Sequence, residues 1–138
     1  MRLGPETSPE TYGIIGAVLE VHKHLGPGYL ESAYGDALEI ELEERGIPAL
    51  REVPLHVTYK KRELRTRYRA DFLVHGRILV ELKAQTSLTP VDEAQVLHYL
   101  KTMGLAVALL VNFGSKSCEV RRFVGAAGLE DGVTVDFV

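Results

Sequence analysis

Cysteine is nearly absent: Cys118 stands alone in 138 residues. A lone cysteine excludes an intramolecular disulfide and any cysteine-based zinc site. A reduced, cytoplasmic setting is therefore expected. No apolar run is long enough to span a bilayer, so no membrane partner is expected. The stretch from Met1 to Glu10 lacks the apolar segment of a secretory signal. Repeats, low-complexity tracts and a linker rich in Pro, Gly and Ser are all missing. So are a glycine-rich phosphate loop and a nucleophile elbow.

What remains is an ordinary globular balance, 46% hydrophobic and 25% charged. The length suits one domain over 1–138, with a core at about 8–124 and a tail from 125 to 138. Net charge is −3 and the pI is about 5.9. That total argues mildly against a strong nucleic-acid binder. Its distribution is uneven. From Glu31 to Arg45 six acids face one base, a net of −5. From Arg51 to Arg69 seven bases face two acids, a net of +5. By itself such a split is ordinary for two solvated faces.

A first helix is expected to begin near Thr7 or Ser8, with Pro9 in its first turn and Glu10 completing a capping box with Thr7. Its stripe is Ile14, Ile15, Val18 and Val21, and Gly26-Pro27-Gly28 stops it. Leu30, Tyr34, Leu38 and Leu42 mark a second helix from about Tyr29 to Arg45, ended by Gly46 and Pro48. Val53, Leu55, Val57 and Tyr59 alternate as in a half-buried strand. Lys60-Lys61-Arg62 reads as a turn. A second strand is expected over Glu63–Val74 and a third over Arg77–Ala84. Thr89 caps a third helix that opens with Pro90 and Asp92 and ends before Gly104. Leu105–Val111 has the pattern of a strand buried on both faces, and Cys118–Val124 of a last strand. The order is ααβββαββ. An antiparallel meander followed by a helical crossover into a parallel strand gives a mixed sheet flanked by helices, an α/β (α+β) fold.

Alternation on the second strand places Arg65, Arg67, Arg69, Asp71 and Leu73 on one face. Leu64, Tyr68, Ala70, Phe72 and Val74 take the other. On the third strand Leu79, Glu81 and Lys83 share a face. Aligning the apolar faces pairs Phe72 with Val80 and Val74 with Ile78, and sets Asp71 opposite Glu81. That register needs a three-residue loop, His75-Gly76-Arg77, or an equivalent bulge. Two opposed carboxylates repel, and a divalent cation would offset that cost. Lys83 is placed to hold a water or a phosphoryl oxygen. Arg65, Arg67 and Arg69, about 7 Å apart along one face, would draw in a phosphate backbone. An acid-x-Lys pattern alone is weak and describes surface charges equally well.

Asp71 followed by Glu81-Leu82-Lys83 resembles the PD-(D/E)XK nuclease signature. Gly28-Tyr29-Leu30-Glu31-Ser32-Ala33-Tyr34 resembles the GxxExxY motif of a small bacterial and archaeal family in that superfamily. Val21–Gly28, Tyr68–Phe72 and Leu110–Gly114 match as well. The resemblance covers about residues 8–124. It implies a restriction-endonuclease-like fold and a Mg²⁺- or Mn²⁺-dependent nuclease acting on nucleic acid, DNA in the first instance. Asp71, Glu81 and the carbonyl of Leu82 would bind the metal, with Glu31 as an added helical acid. Lys83 would position the attacking water. Gln95 and Tyr99 match the QxxxY motif of related nucleases and lie on one helical face. They would support the metal site or touch phosphate. Tyr34 reads as core, and His22 and His24 as surface or capping residues. Two other classes fit the sequence: a silent nuclease fold that binds nucleic acid or a protein partner, and a homo-oligomer joining the acidic helix of one copy to the basic strands of another.

Overall fold

The computed structural model describes residues 8–125 and 136–137. Helix α1 (Pro9–Leu25) is capped by Ser8, whose hydroxyl accepts from the amide of Thr11 at 3.2 Å. The expected Thr7 capping box lies outside the described residues. Helix α2 (Glu31–Glu44) ends at Arg45, and Gly46 follows with φ 69°. Strand β1 (Ala49–Leu55) leads into a small hairpin, β2 (Thr58–Tyr59) and β3 (Arg62–Glu63). Then come β4 (Tyr68–Val74), β5 (Ile78–Lys83), α3 (Pro90–Met103), β6 (Val107–Asn112), β7 (Glu119–Val124) and β8 (Asp136–Phe137).

The main sheet runs β1-β4-β5-β6-β7-β8. The first three are antiparallel neighbours, β6 is parallel to β5, and β7 and β8 are antiparallel again. This is the expected mixed sheet. The register is also the expected one: Phe72 pairs with Val80 and Val74 with Ile78 across the His75-Gly76-Arg77 loop. His75 and Gly76 both have positive φ, 54° and 69°.

Each face of the sheet carries its own core. One joins Ile14, Val18, Tyr34 and Leu38 of α1 and α2 to Phe72, Val80, Leu82, Leu109 and Val111. The other joins Val96, Tyr99 and Leu100 of α3 to Ala70, Leu79, Leu110 and Phe123. Strand β6 contributes to both, and its last five residues are all buried, as a continuous apolar run requires. Tyr34 is fully buried and stacks on Phe113, ring centroids 4.5 Å apart. Its hydroxyl donates to the carbonyl of Gly26 and accepts from the amide of Tyr29, so it locks the loop before α2. His22 lies within hydrogen-bond distance of the Ser115 carbonyl at 3.0 Å, and His24 of Glu20 at 2.8 Å.

Two strand expectations need correction. The first and second strands are both broken, at residues 56–57 and at residues 64–67, and the expected turn at Lys60-Lys61 forms between the pieces. Lys60 and Lys61, both at positive φ (48° and 65°), turn the chain back so that Thr58 pairs with Glu63. Both central residues of such a two-residue turn need positive φ. The chain then passes through Leu64–Arg67 before joining the sheet at Tyr68. Arg65 and Arg67 are therefore off the strand and do not share a face with Asp71.

The second correction concerns alternation within β4. Ala70 packs on the α3 side, whereas Phe72 packs on the α1–α2 side. The change falls at Asp71. Arg51 pairs with Phe72 and Val53 with Ala70, and Glu52 between them has φ 55°. A residue forced to positive φ distorts the pleat locally, which lets the side chains on either side of Asp71 face opposite layers.

Candidate active site

Beyond Phe72 and Val80 the next hydrogen bonds between β4 and β5 are made by side chains. The amide of Asp71 donates to Glu81 Oε1 at 2.9 Å. The amide of Leu82 donates to Asp71 Oδ2 at 2.7 Å. Each carboxyl thus satisfies a backbone donor of the opposing strand. Two carboxyls are held together here by the register itself.

Glu81 is only 3% exposed. Burial pushes its carboxyl up to about 9, and the charge of Asp71 adds to the rise. Burial also raises Asp71, against the hydrogen bond from Leu82. The two act as a pair that holds a proton near neutral pH.

Lys83, two residues on from Glu81, donates from Nζ to Gln95 Oε1 at 2.9 Å. It also lies 3.8 Å from Asp92 Oδ1. Gln95 and Tyr99 both come from α3, four residues apart, so one helical face reaches the sheet at this point. Tyr99 is 8% exposed. Burial raises its phenol, and the carboxyls of Glu81 and Asp71 raise it further.

Glu31 opens α2 and is exposed at the rim. It shares a cavity of about 150 Å³ with Ser32, Arg51, Asp71 and Leu82. Its carboxyl is raised by partial burial first and by Asp71 second, so the acidic helix does bring this residue within electrostatic reach of the acid pair. Arg51 crosses the same cavity to Asp36 at 2.6 Å and Glu39 at 3.4 Å. Part of the acidic helix is therefore neutralised by the first strand of the same chain.

Of the residues singled out in the sequence, the structure gathers Asp71, Glu81, Leu82, Lys83, Gln95, Tyr99 and Glu31. It does not gather the arginines. Arg69 is on β4 but pairs with Glu52 at 3.7 Å, and Arg65 and Arg67 are exposed in the segment after the hairpin.

Sequence reasoning saw Asp92 only as a helix-opening residue. Its carboxylate accepts from the amide of Thr89 at 2.9 Å and from the side chain of Gln85 while it flanks Lys83. It is 8% exposed. The sequence signal was the Thr89-x-x-Asp92 spacing of a capping box, which the structure forms in both directions. Its second duty depends on the crossover that brings α3 back beside β5, and no local pattern reveals that.

A cation can be tested against these donors. Carboxylate oxygens are the ligands that hard divalent ions prefer, and Mg²⁺ needs only one or two of them because it keeps several waters. The pair at Asp71 and Glu81 meets that need, and a cation would offset the burial and repulsion that raise both groups. Among the described residues no three His, Cys, Asp or Glu side chains already form a ligand group. Water and backbone oxygen would therefore complete the shell.

A mixed sheet between helices, with an acid pair and a lysine where two strands separate, defines the class: a restriction-endonuclease-like fold with a PD-(D/E)XK arrangement. The comparison with family models agrees, since that of the PD-(D/E)XK nuclease superfamily matches residues 8–123. The chain belongs to this superfamily. No curated protein and no solved structure matches it. No described helix is long and apolar enough to cross a membrane.

Proposed function

We propose that this chain is a divalent-metal-dependent phosphodiesterase that hydrolyses nucleic acid, with DNA the first substrate to test. Within the superfamily we place it in the GxxExxY family on Gly28, Glu31 and Tyr34, and we read the chain as one domain. The observation that carries the reading is the reciprocal tie between Asp71 and Glu81 with Lys83 beside it.

Asp71, Glu81 and the carbonyl of Leu82 would hold Mg²⁺ or Mn²⁺, with Glu31 at the rim as a further acid. When bound, such an ion neutralises charge on the scissile phosphate and acidifies an attacking water. The chain's own residues do the rest. Lys83, steadied by Gln95, presents an ammonium donor to a water or a phosphoryl oxygen. Asp92, 3.8 Å away, sets a carboxylate beside that ammonium. Glu81 would have to be ionised to hold the cation, which would couple loading of the site to pH.

The test is cleavage of labelled single- and double-stranded DNA with Mg²⁺ or Mn²⁺ by the native protein, Lys83→Ala and Asp71→Ala. Metal-dependent activity lost in both variants is the expected result. Equal activity in all three, or none in the native protein, would sink the assignment for these substrates and favour a silent module that binds nucleic acid or a protein.

A further inference from the structure

A second cavity, about 310 Å³, lies between β4 and α3. Its lining is Val57, Tyr68, Gln95, His98, Tyr99 and Thr102. That volume is at the lower end of ligand pockets, which begin at about 300 Å³. Gln95 belongs both to this wall and to the hydrogen bond with Lys83. Gln95 thus links the wall of the cavity to Lys83.

Two features describe its occupant. The walls are aromatic: Tyr68 meets Tyr99 edge to face, centroids 6.2 Å apart, and Tyr68 is 37% exposed while His98 is open to solvent. The rim is basic. Val57 and Tyr68 mark where the β2–β3 hairpin leaves the body and returns. Between them lie Lys60, Lys61, Arg62, Arg65 and Arg67, all exposed, against the single acid Glu63. Glu63 is engaged by His56 at 2.5 Å. An aromatic recess beside a positively charged arm fits a flat, uncharged ring carried on an anionic backbone.

We propose that this cavity binds one unstacked nucleobase of a single-stranded nucleic acid, stacked on Tyr68, while the hairpin holds the adjoining phosphates. The choice of nucleic acid as the occupant rests on the phosphodiesterase reading, and the recess itself does not. A base paired inside a duplex cannot enter such a recess without leaving its stack. Single strands are thus the favoured class. The same chemistry is offered by DNA and by RNA.

The test is equilibrium binding in EDTA, so that nothing is cut, followed by fluorescence anisotropy. The probes are labelled oligo(dT), oligo(rU), a duplex of equal length and an abasic chain of equal charge. The expected order is single strand tighter than duplex, and oligo(dT) tighter than the abasic chain. The tighter of oligo(dT) and oligo(rU) is the preferred strand, and tighter binding of either than of the duplex and the abasic chain supports the pocket. Tyr68→Ala should weaken single-strand binding roughly 5- to 150-fold, the span of one base stack, and Tyr68→Phe should keep it. Should Tyr68→Ala not fold, Tyr68→Leu keeps apolar bulk, removes the stacking ring and carries the same decision.

Equal binding of the abasic chain would overturn the proposal. So would native-like binding by Tyr68→Ala or, in its place, by Tyr68→Leu. Binding that holds while metal-dependent cleavage is absent would remove the phosphodiesterase reading and leave the pocket standing.

Discussion

Asp71 and Glu81 exchange hydrogen bonds through each other's strand: the amide of Asp71 donates to Glu81, and the amide of Leu82 donates to Asp71. The carboxyls replace ladder bonds where β4 and β5 part. Removing one therefore frees a backbone donor as well as a charge. Amide variants, which keep an acceptor oxygen, separate the two effects.

Stability should record the raised carboxyl of Glu81. Its ordinary value of 4.5 becomes about 9 in the fold. A raised acid favours the folded state fully below pH 4.5, and that contribution is lost as pH climbs toward 9. In EDTA the native Tm should fall across this window. Glu81→Gln keeps the acceptor for Asp71 and has no proton to lose, so its Tm should gain on the native protein by several degrees at the alkaline end. Parallel Tm curves for the two proteins would contradict the pair's protonated state.

Much of this arrangement was legible in the sequence. Apolar matching of Phe72 with Val80 and Val74 with Ile78 predicted the register, and the carboxyls of Asp71 and Glu81 meet just beyond it through the amides of the opposing strands. The continuous apolar run before Asn112 signalled the doubly covered β6. The turn at Lys60-Lys61 was legible, but not the breaks in the strands on either side of it. Lys60 and Lys61 adopt positive φ without the Asn or Gly that usually announces such a turn. The switch of faces at Asp71 also left no periodic trace, because it follows from the distortion at Glu52 on a different strand. Asp92 looked like a cap because its second role is set by tertiary packing alone.

Metal should bind with a proton signature. A cation on the pair requires Glu81 to ionise, and near pH 7 the fold holds that proton. Titration with Mn²⁺ in buffers of different ionisation enthalpy should show about one proton released per ion bound. Mn²⁺ should also raise the native Tm, more at pH 8 than at pH 6, because protons compete less there. Asp71→Asn should abolish both effects. A Tm rise of equal size in Asp71→Asn would place the ion elsewhere.

Asp92 is expected to act through Lys83 and through the start of α3. Asp92→Ala removes the acceptor for Thr89 and the neighbour of Lys83. Loss of the capping interaction should cost about 0.5–2 kcal/mol in urea unfolding. Asp92→Asn, which keeps a carbonyl oxygen, should recover most of that. If Asp92 positions Lys83, the Asn variant should still lose on the order of 10- to 100-fold in kcat with KM little changed, the size typical of an outer partner to a metal site. Full activity in Asp92→Asn would reduce the residue to a helix cap.

Gly114 should tolerate no side chain. A Cβ there would lie 2.3 Å from both the amide nitrogen and the carbonyl oxygen of Gln85, and 2.6 Å from the carbonyl carbon of Ala84. These are backbone atoms just after Lys83, held by Asn112, whose side chain bonds the Gln85 amide at 3.0 Å and its carbonyl at 2.9 Å. They cannot rotate away as a side chain would. Gly114→Ala must therefore push the strand end that carries Lys83, at a cost of about 3 kcal/mol or more, the upper end of overpacking. Gly76→Ala is the control. Its φ is 69° but nothing lies within 4 Å of the added carbon, so it should cost only about 1–2 kcal/mol of backbone strain. Chemical denaturation of both variants decides the matter. A Gly114→Ala protein as stable as Gly76→Ala would mean that the Asn112 loop is not packed against the end of β5, and the placement of Lys83 would fall with it.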